Sequence, residues 1–161
     1  MTETKQIDAK TFWRALGARS TGVVVATARG ADGPAGFLAL SATHVTADPP
    51  TMLMSIDKRT AALAAVLQAK HFALNFLPRG DQALAEMFGG RGEARGADRF
   101  APARWGTLST GAPVLNDAVG AIDCALEETI ERFGVVIAIG RVVDVVVREG
   151  EPLLFFRGAY R

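Results

Sequence analysis

Two long strand-like runs separated by three residues constrain this chain more than any other feature. Val119 to Glu131 alternates, with Ile122, Cys124, Leu126 and Ile130 on one face and Asp123, Glu127, Thr129 and Glu131 on the other. That is the period of a half-buried antiparallel strand. Arg132-Phe133-Gly134 reads as a turn, and Val135 to Arg148 as a second strand whose opening residues, Val135 to Ile139, are apolar on both faces. Each run is about twice the usual strand length of five or six residues. Runs joined so closely must pair antiparallel, because a parallel return needs a long crossover.

The rest of the chain offers few helix-length spacers for such crossovers. Further strands are expected at Val23–Thr27, Thr51–Ile56, His71–Leu77 and Leu153–Phe156, with Gly30–Pro34 as a hairpin loop and Glu149–Pro152 as a turn. Three short helices are expected. The first runs from Asp8, as N-cap, to Gly17, with Phe12, Ala15 and Leu16 on its apolar face. The second covers Ala61–Gln68 with Thr60 as N-cap, and the third runs from Asp81, as cap, to Phe88. Such an order predicts a mainly β fold, an antiparallel barrel with a few short helices, over a doubly wound sheet. No repeat, linker or low-complexity segment divides the 161 residues, so residues 1–161 are expected to form one domain.

Composition removes several function classes. Eighteen basic and 17 acidic residues leave a net charge of +1, so nothing favours nucleic acid or an anionic membrane. The N-terminus lacks an apolar signal core and no run reaches the ~18 apolar residues of a membrane span. Together with the lone Cys124, which suits a reducing compartment, this predicts a cytoplasmic protein. With two histidines and no cluster of zinc-type ligands, no metal site is expected. Met87 to Gly96 is glycine-rich, yet it follows a helix and lacks dinucleotide spacing, so it reads as a loop carrying Arg91, Arg95 and, just beyond, Arg99. No nucleophile elbow marks Ser41.

One stretch stands out as a ligand surface. Ala35 to Pro50 reads as an extended segment ended by Asp48-Pro49-Pro50. Its small residues Gly36, Ala39, Ser41 and Ala42 are expected to leave backbone uncovered for a flat ligand. Downstream, Lys58 and Arg59 precede the helix expected at Ala61, where cations, a hydroxyl and free first-turn amides would suit a phosphate.

In this stretch Gly36-Phe37-x-Ala39-x-Ser41-x-x-x-Val45-x-x-Asp48-Pro49-Pro50 resembles the signature of the flavin reductase-like family, the FMN-binding split barrels. Met52–Ile56, Phe72-x-x-Asn75-x-Leu77, Ala85-x-x-Phe88, Arg99-Phe100, Trp105, Gly111-x-Pro113-Val114-Leu115, Cys124 and Pro152-Leu153-Leu154-Phe155-x-x-Gly158-x-Tyr160 follow in the family's order. The resemblance spans roughly residues 11 to 161. It implies an NAD(P)H:flavin oxidoreductase that reduces FMN or FAD, often for a partner monooxygenase, and that forms a homodimer with flavin at the subunit interface. Carried over by position, Leu38, Ala39, Leu40, Ser41 and Ala42 would face the flavin ring and ribityl chain. Ser55, Ile56, Asp57, Lys58 and Thr60 would line the ribityl-phosphate end. Phe88 would stand beside the ring, and Phe100 and Tyr160 on the nicotinamide side.

The scarcity of acid–base groups agrees with chemistry carried by a cofactor and a nicotinamide co-substrate (NADH or NADPH). Two sister activities share the resemblance: an oxidase of the pyridoxine-phosphate type, and a barrel that binds flavin or haem without turnover. The sequence also departs from the family. Hydroxyl residues are common where Leu38 and Leu40 stand, serine is common at His44, and a Gly-Asp-His turn is replaced by Phe133-Gly134-Val135. These departures suggest that His44 takes over the polar role lost at Val135.

Overall fold

The computed structural model describes residues 4–161. In chain order its elements are α1 (Ala9–Leu16), β1 (Thr21–Gly22), β2 (Val24–Gly30), β3 (Gly33–Leu38), β4 (Thr43–Ala47), β5 (Pro50–Asp57), α2 (Ala62–Ala69), β6 (His71–Phe76) and α3 (Gln82–Phe88). A 3-10 turn at Gly96–Arg99 precedes β7 (Trp105–Thr107), β8 (Pro113–Leu115), β9 (Gly120–Arg132), β10 (Val135–Val147), β11 (Leu154–Phe156) and β12 (Ala159–Tyr160). No helix among the described residues is long and apolar enough to cross a membrane.

Seven strands form the main sheet in the order β3-β2-β6-β9-β10-β5-β4, and every neighbouring pair is antiparallel. Its two edge strands, β3 and β4, are consecutive in sequence, joined only by Ala39 to Ala42. That link reaches at most about 17 Å, whereas seven flat strands would hold the edges about 29 Å apart. The sheet must therefore curl until its edges face each other. They do not pair, and the result is a split barrel. The segment expected to be one strand, Ala35 to Pro50, is thus two strands on opposite edges, broken where the chain crosses the gap.

The β9–β10 hairpin forms where its sequence pattern places it, but the expected faces hold only as far as Leu126: Ile130, expected on the same core face, is 42% exposed. Pairing runs from Val147↔Gly120 to Val135↔Arg132, so the turn is only Phe133-Gly134, with Phe133 at φ 52°. Register shifts leave Glu127 on β9 and Val143 on β10 without opposite partners, which bends the hairpin around the barrel. Gly140 is required at that bend: a Cβ there would lie 2.7 Å from the Phe72 ring and 2.9 Å from Cys124 Cβ.

Asp123 departs from the alternation. Expected on a solvated face, it is fully buried, because the segment around β7 and β8 straps across the outside of β2, β6 and β9. Its carboxylate accepts hydrogen bonds from Thr110 N (2.8 Å) and Thr110 Oγ1 (2.6 Å). Asn75 pins the same strap, donating to Val25 O (3.2 Å) and accepting from Leu115 N (2.8 Å).

Side chains of β2 divide the core. Val24, Ala26 and Ala28 join Met54, Ile56, Phe72, Leu74 and the α2 residue Val66 inside the curled sheet. Val25, and Val23 just ahead of the strand, face outward into a second cluster with Leu77, Leu84, Phe88, Leu115 and Leu153. Cys124 sits in the first cluster, where burial pushes its thiol up to about 12, an inert small hydrophobe.

Two of the three helices differ from expectation at their caps. Asp8 does cap α1, accepting from Thr11 N at 2.7 Å, but none of the helix is buried, and Phe12 and Trp13 are 51% and 65% exposed. Helix α2 starts at Ala62 with Ala61 as its N-cap and no side-chain cap bond, so Thr60 does not cap it. The Asp57 carboxylate instead accepts from Arg59 N (2.8 Å) and its carbonyl from Thr60 N (2.9 Å), a turn that consumes the corner before the helix begins. Asp81 occupies the N-cap position of α3, yet its carboxylate is drawn to the Arg104 guanidinium at 2.8 Å rather than to the helix amides.

Candidate functional site at the barrel seam

The crossing from β3 to β4 is where the two residue sets expected to hold a ligand meet. Ala39 N donates to Val24 O at 2.8 Å, continuing the β3 side of the link. Two residues on, Ser41 Oγ accepts from Ser55 N (3.1 Å) and donates to Ser55 O (3.2 Å). One side chain thus makes the pair of bonds that a strand neighbour would make, and it ties the link to β5. Leu38–Ala42 and the Ser55–Thr60 corner therefore lie side by side, joined by the Ser41 hydrogen bonds to Ser55.

Within the first set the side chains divide. Ala39 is 2% exposed in the inner core, while Leu38 and Leu40 pack on the outer cluster and Ala42 on the inner one. Of Leu38–Ala42 only Ser41 carries a polar side chain, and its hydroxyl is engaged with Ser55. A Cβ at Gly36 would lie 2.9 Å from Phe88 and 3.2 Å from Phe100, so aromatic rings of the protein, not a ligand, fill the space its missing side chain leaves.

Phe88 is correspondingly interior, at 3% exposure. It meets Phe100 and Trp105 at centroid distances of 5.2 and 5.7 Å, and the Arg99 guanidinium lies 4.6 Å over its ring. Arg99 also donates to Gly36 O at 2.9 Å, and its burial lowers the guanidinium's proton affinity. This arginine, assigned by sequence only to a loop, is part of the wall behind β3. The indole N–H of Trp105 is buried there without a partner.

At the other set, Ile56 is fully buried and contributes backbone alone. Arg59 grips the Asp57 carboxylate at 3.0 and 2.8 Å, and these hydrogen bonds hold that carboxyl down to about 2. Lys58 N donates to Gly134 O at 2.9 Å, so the hairpin turn abuts this corner. The Lys58 ammonium stands 3.5 Å from the Glu131 carboxylate. Nothing in the sequence pairs those two residues, and only the register of β5, β10 and β9 reveals the contact.

A cavity of about 460 Å³ opens beside Leu38 and is lined also by Gln82, Glu86, Arg91, Phe155 and Tyr160. Phe155 and Tyr160 meet edge-on at 5.2 Å, and burial, aided by Glu86, raises the Tyr160 phenol above its ordinary value. Tyr160 thus faces a cavity that takes in one residue of the ligand stretch, Leu38, while Phe100 is turned into the aromatic wall. Sequence reasoning named Arg91 as a loop charge; Gln82 and Glu86 carried no signal beyond their place on a helix.

His44 and Val135 are not neighbours. His44 is in register with Met52 and Val135 with Asp57, on opposite sides of β5. Five residues of strand, about 17 Å, separate those positions. Within one chain His44 cannot replace a group at Val135, because the turn that carries Val135 lies at the other end of β5.

The family described as "Flavin reductase like domain" matches residues 16–161. A curated relative, FMN reductase (NADH) RutF of Agrobacterium fabrum, is 35% identical over 160 residues, covering 99% of this chain and 89% of the relative. The reductase subunit HsaB of a flavin-dependent monooxygenase from Rhodococcus jostii is 33% identical over 155 residues, covering 96% of this chain and 77% of that protein. Among solved structures, the flavin reductase PheA2 superposes with a TM-score of 0.87 at 30% identity, over 96% of this chain and 97% of its own.

Proposed function

The chain belongs to the flavin reductase-like family, and from that premise we propose that it uses a reduced nicotinamide nucleotide to reduce FMN or FAD held loosely at the barrel seam. The observation that carries this reading is the meeting of Leu38–Ala42 with the Ser55–Thr60 corner, with a cavity at the Leu38 end of the link that reaches Tyr160. Backbone from the link would hold the flat ring, and Lys58 with Thr60 would hold the phosphate. A flavin held there would supply the redox chemistry, as acceptor of hydride from the nicotinamide. The chain aligns the two rings and excludes water, which suits a site with so few acid–base side chains.

NADH and FMN are the favoured pair, since the Agrobacterium relative is named for both. The likeness to the reductase subunit of a flavin-dependent monooxygenase supports delivery of reduced flavin to such a partner. The direct test mixes the chain with NADH or NADPH and FMN, FAD or riboflavin, and follows the nicotinamide absorbance. Oxidation that depends on added flavin is expected; absence of nicotinamide loss with every flavin would sink the assignment. Reduced flavin handed to a separate oxygenase, read as product formed only when both proteins are present, would test the second step.

A further inference from the structure

We propose that Glu131 is a built-in competitor of the flavin phosphate for Lys58, and so sets how loosely phosphorylated flavins are retained. The inference rests on the phosphate corner of the reading above. Of the two cations at that corner, Arg59 is committed, its guanidinium closed on the Asp57 carboxylate and its backbone N–H donating to the same group. Lys58 is the cation left for an incoming anion. Its backbone is fixed by Gly134 O, and its side chain reaches across β10 to Glu131.

The register explains the reach. Ile56 pairs with Val136, and Val136 with Glu131, so β10 is all that lies between the two strands. Glu127, four residues back along β9, is held by Arg141 at 2.6 Å. Among the described residues Lys58 is the ion-pair partner of Glu131 and of no other acid.

Both side chains of the pair are well exposed, 42% for Lys58 and 75% for Glu131. Such a pair is weak and separable. A phosphate that approaches Lys58 must displace the carboxylate or bind beside it. Either way, part of the attraction between phosphate and ammonium is offset by Glu131. A chain that releases its flavin gains from that offset, whereas one that keeps flavin as a permanent group would not. If Glu131 instead served to aim Lys58, its removal would weaken binding, so the sign of the effect separates the two roles.

The experiment measures dissociation constants for FMN and riboflavin, by quenching of flavin fluorescence at low salt, for the parent chain, Glu131→Gln, Glu128→Gln and Lys58→Ala. Glu128→Gln makes the same charge change on the same strand, in register with Ile139 and away from the corner. Glu131→Gln is expected to tighten FMN about two- to fivefold, the range of one exposed ion pair. It should leave riboflavin unchanged, Glu128→Gln should alter neither, and the gain should shrink in about 1 M salt. Unchanged or weaker FMN binding in Glu131→Gln, with Lys58→Ala still weakening FMN more than riboflavin, overturns the competitor role and leaves the phosphate corner standing. Lys58→Ala that affects FMN and riboflavin alike overturns the corner, and Glu131 with it.

Discussion

At the scale of single residues, Ser41 has the most concentrated role. Its hydroxyl both donates to and accepts from the Ser55 backbone, so little of it remains for a ligand, and its contribution to binding runs through the position of the link. Ser41→Ala is expected to cost about 1 kcal/mol, a fall of about 2–4 °C in melting temperature for a chain of this size. It should weaken FMN and riboflavin by the same factor, because the phosphate is not involved. A larger loss for FMN than for riboflavin in parallel titrations would move Ser41 to the phosphate end. Residues also show where sequence reading stops. The absence of a side chain at Gly36 was visible, but not that Phe88 and Phe100 would fill the space. A hydroxyl at Thr60 suggested a cap, and only the structure shows Asp57 closing the turn first.

At the scale of elements, period-2 alternation made the β9–β10 hairpin readable almost to its ends, since long strands repeat their pattern many times. Asp123 broke the pattern because its face is covered by the distant strap around β8, and sequence periodicity reports neighbours along a strand, not what lies over it. The split of Ala35–Pro50 into two edge strands was hidden for a similar reason: β-propensity does not say which partner a strand will find. Strand β6 carries a pH dependence. His71 Nε2 accepts from Arg29 N at 3.2 Å, and burial lowers the imidazole below its ordinary value. The unfolded chain takes up this proton as pH falls through about 6.5, and the folded chain resists it. The unfolded state therefore binds more protons, and stability should decline as pH drops below that value. Urea unfolding at pH 7.5 and 5.5 measures the decline, which His71→Gln should flatten; an identical decline in the variant would place its origin elsewhere.

For the whole molecule, the exposed apolar surface asks for a second copy. Phe12 and Trp13 on α1 and Val143, Val145 and Val147 on β10 are all at least 46% exposed, more than a small isolated barrel usually leaves uncovered. We predict a homodimer in solution, with light scattering near twice the 17.0 kDa chain mass; a monomer at micromolar concentration would contradict it. The short link between the edge strands has a further consequence. Strand pairing holds the sheet everywhere except between its two edges, so it is a split hoop whose gap is spanned by the Ala39–Ala42 clasp. Elsewhere the hoop can open only by breaking a full strand ladder, whereas the clasp can slip by releasing Ser41 from Ser55. Breathing that lets a flat molecule enter or leave is thereby confined to one place, and the remainder can stay rigid while it happens. Amide hydrogen exchange should accordingly be fastest among the strands at Ser55 and along β4, slow in β6 and β9, and slowed at the clasp alone when FMN is added.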